Sequence, residues 1–327
     1  MKRRRIKVNW FFVAIFAAMA VASLVPATGV GATIVNDGTT GVIGVLFFLY
    51  GLRLSPAETI AGLRHWRLHL TILSATYIVF PLIGLGLSVL LRHWMTPTLV
   101  AGIIYLSLVP STIQTSVTFT SIAHGNVAGA VVSASASNLL GVFLTPLLCW
   151  LVLSHDSNLT ITPRAILSIV AEIIVPFILG QVCRRWLATF VAAHPKLSLV
   201  DQAAVVLIVY SAFSSAMTEG VWHLTSFPVV MAVIGLCLGC LVVMLVLTWY
   251  GAKALGFSRA DAIAIQFCGT KKSLASGLPI AGVLFAGTSL ALVVLPLIIF
   301  HQLQLLVCGT LAARYGRAVP PEVPASE

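Results

Sequence analysis

The stretch Ala262–Phe285, AIAIQFCGTKKSLASGLPIAGVLF, places two adjacent lysines, Lys271 and Lys272, inside an otherwise apolar run. A charged side chain near the centre of a bilayer costs about 2.5–3.5 kcal/mol on insertion scales. Two in a row, flanked by Gly269, Thr270, Ser273 and Gly277, require a water-lined cavity, a broken helix or a bound anion. The pattern points to a membrane transport site.

Composition widens that reading to the whole chain. Of 327 residues, 59% are hydrophobic and 9% charged, against roughly 25% charged in soluble domains, and the mean hydropathy is +1.05. An all-α polytopic membrane protein is predicted, with residues 1–327 forming a single transmembrane domain. The six cysteines (Cys149, Cys183, Cys237, Cys240, Cys268 and Cys308) lie in or beside apolar runs and read as small buried hydrophobes. The start, MKRRRIKVNWFFVAIFAAMAVASLVPA, has the basic and apolar regions of a secretory signal. With many further spans following, it reads instead as a first transmembrane helix.

Apolar runs of about 20 residues fall at roughly 9–27, 39–52, 69–91, 97–123, 126–153, 165–183, 201–217, 226–252, 260–285 and 289–313. With the N-terminus inside, this ten-span count puts most of the 19 basic residues on the cytoplasmic side: Lys2, Arg3, Arg4, Arg5, Lys7, Arg53, Arg64, Arg67, Arg184, Arg185, Lys196, Lys253, Arg259, Arg314 and Arg317. Only Arg92 and Arg164 fall outside, which satisfies the positive-inside bias. The net charge of +10 is therefore topological and implies no nucleic-acid partner. Both termini are expected in the cytoplasm, in a multi-pass protein of a bacterial inner membrane, with membrane lipid as its surroundings.

The fourth segment breaks at Leu108-Val-Pro-Ser-Thr and continues through Gln114, Thr115, Ser116, Thr118, Thr120 and Ser121. Five spans later, the ninth breaks at Cys268-Gly-Thr-Lys-Lys-Ser. Because five is odd, two such halves have opposite orientations: two inverted five-helix repeats with two discontinuous crossing helices. Paired interrupted helices are the best sequence pointer to a transporter's midplane site.

Ser111–Pro146 (STIQTSVTFTSIAHGNVAGAVVSASASNLLGVFLTP) and Gln266–Phe285 resemble the bile acid:sodium symporter (SBF-like) family. The likeness is to its bacterial branch of sodium-dependent transporters, related to the divergent vertebrate member seven. It covers nearly the whole chain. It implies a panel of segments 1, 2, 6 and 7, a core of segments 3–5 and 8–10, and alternating access with substrate bound between them. It also implies where ions sit. The family's Ser-Asn after the first break corresponds to Thr115-Ser116. An acidic residue on the second crossing helix is replaced by Gln266, and the polar pair of its motif by Thr270-Lys271. A glutamine of the third segment aligns with Thr76. Sodium, where retained, is expected at Thr115, Ser116 and Gln266.

A sodium site built of hydroxyls and carbonyls normally gains from one negative ligand. Here a carboxylate is lost and a cation gained, and a lysine close to sodium repels it. The ammonium then stands in place of sodium, coupling passes to protons through Lys271 or Lys272, or coupling is absent. Na+ or H+ is the coupling ion, with no other cofactor. Further candidate site residues are Gln114, Thr118, Ser133, Ser135, Asn138 and Ser273, with Glu172 and His301 as relay candidates. Each has a plainer alternative. The small residues of SASASN (Ser133–Asn138) permit close helix packing, hydroxyls after Pro110 satisfy broken backbone, and one lysine snorkels.

The chain has no phosphate-binding glycine loop, no zinc-spaced His/Cys set and no nucleophile–base pair, so no enzyme is expected. Two cations at a broken helix favour a secondary active transporter of a small organic anion. An ion channel or leak, and a non-transporting regulator of ion homeostasis, are the alternatives.

Overall fold

The structure, a computed structural model, describes residues 10–53, 65–153, 168, 170–194, 197–218, 220, 226–286 and 289–318. Among these it is helical throughout, with no strand. Of the orienting basic residues, Lys2, Arg3, Arg4, Arg5, Lys7, Arg64, Arg164 and Lys196 lie outside the described residues.

In chain order the helices are α1 (Trp10–Leu24), α2 (Val30–Arg53), α3 (Trp66–Leu91), α4 (Pro97–Leu108), α5 (Gln114–Ile122) and α6 (Val127–Leu153). They continue with α7 (Val175–Ala193), α8 (Ser198–Thr218), α9 (Phe227–Ala254), α10 (Arg259–Thr270), α11 (Leu274–Leu284) and α12 (Leu290–Arg317). Among the described residues six stretches, in α2, α3, α6, α8, α9 and α12, are long and apolar enough to cross a membrane. The chain is a multi-pass membrane protein.

Two boundaries differ from the periodicity. The second segment, expected over 39–52, begins at Val30. Asn36 and Asp37 masked its first turns, and the structure accounts for Asn36, whose Oδ1 accepts from Ser211 Oγ at 2.8 Å. The sixth, expected over 165–183, becomes a π-turn (Val170–Ile174) and then α7, ending at Ala193.

The chain divides into two compact units. The first comprises residues Met1–Arg53, Ile161–Ser226 and Leu278–Val293. Within it α2 packs on α7 and α8, and α1 on α8. The α2–α7 crossing is backbone on backbone. A Cβ added at Gly51 would meet the Phe177 carbonyl, and one at Gly180 would meet the Phe48 carbonyl. Small residues at a membrane crossing let helices approach this closely. Arg53 and Asp201 form an ion pair at 2.5 Å in the same unit.

The second unit comprises Leu54–Thr160, Phe227–Gly277 and Val294–Glu327. Here α10 is central, packing on α9, α3, α5 and α6. Within α3 a π-turn spans Ala75–Val79, immediately before Pro81 at the start of the next turn. A glycine again permits a close approach: a Cβ on Gly269 would stand 2.9 Å from that of Ala75.

Gly51→Val and Gly180→Val both drive a branched side chain into backbone that cannot yield. Each is expected to cost at least the roughly 1–3 kcal/mol of an overpacked core, read as a lowered melting temperature in detergent, whereas Gly239→Val, in open space, should leave it unchanged.

Candidate functional site

The two breaks lie in the second unit and touch. Helix α4 ends at Leu108, α5 begins at Gln114, and Val109 is extended between them. Helix α10 ends at Thr270 with Lys271 extended after it, and α11 begins at Leu274. The Ser273 N–H donates to the Pro110 carbonyl at 2.8 Å, so one backbone bond ties the breaks together.

A broken helix leaves carbonyls without donors, and buried ones must find others. Around the first break each carbonyl from Ser107 to Ser111 has a partner. Ser107 and Val109 accept from Lys272 Nζ at 2.7 and 2.9 Å. Leu108 accepts from Thr145 Oγ1 at 2.9 Å, Pro110 from Ser273, and Ser111 from Asn138 Nδ2 at 2.5 Å. At the second break the Lys272 N–H and C=O are both clasped by one amide. Gln304 Oε1 accepts from the N–H and Gln304 Nε2 donates to the carbonyl, each at 2.9 Å. Ser273 caps α11, its Oγ accepting from the Ser276 N–H at 3.2 Å.

Lys272 is fully buried. Its third acceptor, at 2.9 Å, is the Thr76 carbonyl, which α3 leaves free by construction. In an α-helix Phe80 would donate to Thr76, but here the Phe80 N–H goes to Ala75. In a continued π pattern Pro81 would donate, and proline has no N–H. The Phe80 ring centroid lies 4.4 Å from the same ammonium. All three N–H bonds of Lys272 are thus matched by carbonyls.

Lys271, equally buried, is held otherwise. It donates once, to the Thr115 carbonyl at 2.7 Å. Its ammonium stands 3.7 Å from the Phe119 ring centroid and 5.4 Å from that of Phe267. Cation–π contacts of this kind are worth about 2 kcal/mol or more when desolvated. Neither lysine has a carboxylate partner among the described residues.

The sequence candidates divide by position. Thr76, Thr115, Asn138, Thr270 and Ser273 belong to the cluster at the breaks. Asn138 also accepts from Ser276 Oγ at 2.6 Å, and Thr270 shares a 3.2 Å contact with the Thr248 hydroxyl on α9. Ser116, buried, pairs with Thr112 at 3.1 Å. Ser133 faces α3 instead, 2.6 Å from His69 Nδ1. Gln114 and Thr118 lie on the exposed face of α5, and the half-buried Ser135 is not among the groups touching either lysine. Gln266 points to α9: its amide donates to the Leu245 carbonyl at 3.0 Å. It lines a cavity of about 300 Å³ with Trp249, Arg314 and Tyr315. His301 touches the cluster through Gln304 Nε2, 2.8 Å from its Nδ1. Glu172 belongs to the first unit, bonded to the Ser168 hydroxyl.

Sequence reasoning missed Gln304, Ser107, Val109 and the aromatic faces of Phe119 and Phe80. His301 stands out in α12 as a polar residue in an apolar run, and the same signal marks Gln304 three positions further on. The two backbone carbonyls carry no side-chain signature.

Two broken helices tied at their breaks, with buried cations between them, define the class of discontinuous-helix membrane transporters. The chain belongs to the SBF-like CPA transporter family, whose family model matches residues 9–317. It is 46% identical over 321 residues to "Uncharacterized protein PA2026" of Pseudomonas aeruginosa, covering 97% of this chain and 96% of that one. It is 40% identical over 313 residues to "Putative symporter YfeH" of Escherichia coli K12 (94% and 92%). To "Sodium/bile acid cotransporter 7" of Danio rerio it is 31% identical over 316 residues, covering 94% and 93%.

Gln304→Leu strips partners from both the N–H and the C=O of Lys272. At about 1–3 kcal/mol for each buried unsatisfied group, the variant should melt markedly below the wild type. His301→Leu, which leaves the Gln304 clasp on the backbone, should lower the melting temperature less. Circular dichroism of both purified variants checks the order.

Proposed function

We propose that this protein is a secondary active transporter of a small organic anion, working by alternating access. The supporting observation is the asymmetry of the two lysines. Lys272 has an acceptor for every N–H, whereas Lys271 makes one hydrogen bond and otherwise rests on two aromatic faces. Lys271 therefore retains donors that an incoming carboxylate or similar anion can accept from, at the strength of a charge-assisted hydrogen bond.

The same residues bear on coupling. With ammonium groups beside the breaks and, among the described residues, no carboxylate against either lysine, the cluster supplies its own positive charge and nothing negative to attract sodium. Uptake in this reading is independent of sodium, and Lys271 is the group that gives up and regains a proton during the cycle. The topology we propose is ten spans in two inverted five-helix repeats, counting α4 with α5 and α10 with α11 as single crossings, with both termini cytoplasmic. The link between Ser273 and Pro110 supports the pairing of the two breaks. The fully described loop at Arg92, between α3 and α4, then faces the periplasm.

A thermal-shift screen against organic anions selects the ligand, and uptake of that anion into proteoliposomes tests the reading. An imposed sodium gradient at constant pH should leave uptake unchanged, while a change of external pH at constant sodium should alter it. Lys271→Ala should lower uptake by about tenfold or more, the loss expected for a hydrogen bond to a charged group at roughly 1.5–3 kcal/mol. Strong stimulation of the wild type by sodium overturns the coupling proposal. A reporter fused after Arg317 that reads periplasmic overturns the topology.

A further inference from the structure

The geometry around Lys272 goes beyond transport. Three backbone carbonyls from separate parts of the chain converge on one nitrogen: Thr76 from the π-turn of α3, Ser107 from the end of α4, and Val109 from the first break, at 2.9, 2.7 and 2.9 Å. No carboxylate takes part. Two properties make this a site rather than a chance resting place for a long side chain. All three carbonyls have lost their helical donors, at the π-turn followed by Pro81 or at the break after Leu108. The ammonium itself is wholly enclosed, so water cannot stand in for any of them.

Clustered carbonyl oxygens that replace a hydration shell are how proteins hold dehydrated monovalent cations. We propose that Thr76, Ser107 and Val109 form a monovalent-cation site whose permanent occupant is the ammonium of the protein's own Lys272. The side chain is a tethered ion. It holds the π-turn, the first break and the second break together regardless of the salt outside, and it closes the site to dissolved cations. The backbone at Lys272 anchors the tether, because Gln304 fixes both its N–H and its carbonyl.

The prediction is one of chemical rescue. Lys272→Ala removes three methylenes and the ammonium, the outline of an n-propylammonium ion, and leaves the carbonyls facing a cavity. Full-length variant in detergent should melt below the wild type. Its melting temperature should rise saturably with n-propylammonium chloride and recover most of the drop. Tetramethylammonium, which has no N–H to donate, should have no effect at the same ionic strength. The wild type should be indifferent to both salts and to exchange of sodium for choline. Lys272→Met, which fills the same space without charge, should melt low and stay low in every salt.

A folded Lys272→Ala variant that ignores n-propylammonium overturns the proposal, as does Lys272→Met with the stability of the wild type. Should Lys272→Ala not survive extraction in ordinary buffer, the comparison becomes the yield of monodisperse protein extracted in n-propylammonium against tetramethylammonium chloride. Equal yields then count against the site. No step of the measurement involves transport, so its outcome and that of the uptake assay are independent.

Discussion

A buried ammonium without a carboxylate can be kept only by acceptors that already exist and have nothing else to bond. That constraint organises the second unit. Side-chain hydroxyls in membrane helices commonly bond back to their own backbone, as Thr76 does to Ile72 at 2.9 Å and Thr248 to Met244 at 2.6 Å. Only irregular backbone can supply three strong free acceptors at one point, and irregular backbone survives in a bilayer only where it is buried against protein. The break after Leu108, the π-turn in α3 and the lysine therefore depend on one another. Leaving out the lysine orphans carbonyls, and straightening either helix orphans the lysine.

Why two lysines, when one would close this account? Their surroundings give the answer. Lys272 sits where every donor is matched, an arrangement that resists displacement, since removing any one contact leaves a buried group unpaired. Lys271 sits on ring faces, whose attraction is broad in direction and therefore tolerant of movement. Adjacent positions in an extended segment point to opposite sides, so one residue binds the protein to itself while its neighbour is presented to the region of Thr115, Phe119 and Phe267. A single lysine could not serve both a saturated cage and an adaptable contact.

How much of this was legible beforehand follows from what each feature is made of. The breaks were readable because proline, glycine and clustered hydroxyls in an apolar run have no other economical explanation, and Pro110 and Gly269–Lys272 mark them directly. The lysines announced themselves by the cost of burying charge. Their partners did not, because the acceptors are main-chain carbonyls at Thr76, Ser107 and Val109, and any residue carries a carbonyl. The π-turn was hidden for a related reason: TYIVFP reads as plain helix, and only the displaced bond from Phe80 to Ala75 reveals it. Gln266 drew attention as a substituted carboxylate, yet its amide serves the α9 interface through Leu245. Alignment gives a position in the chain but not the rotation of its side chain. Gln304 carries the same signal as His301, because polar residues on one apolar helix look alike until the helix is placed.

The π-turn in α3 ties the cage around Lys272 to the length of a helix. A π-turn is an α-helix with one residue too many, and each residue advances a helix by about 100°. Deleting a single residue between Ala75 and Phe80 would turn the Phe80-to-Ala75 bond into an ordinary α-helical one and swing everything before it round the axis. The acceptor at Thr76 and the cation at Lys272 can thus be lost to each other from either side, by the loss of one residue from α3 or by substitution of the lysine. The first leaves a buried ammonium short of one bond; the second leaves the carbonyls idle in an empty cage. The length of α3 is therefore as much a part of the cation's surroundings as the three oxygens that touch it.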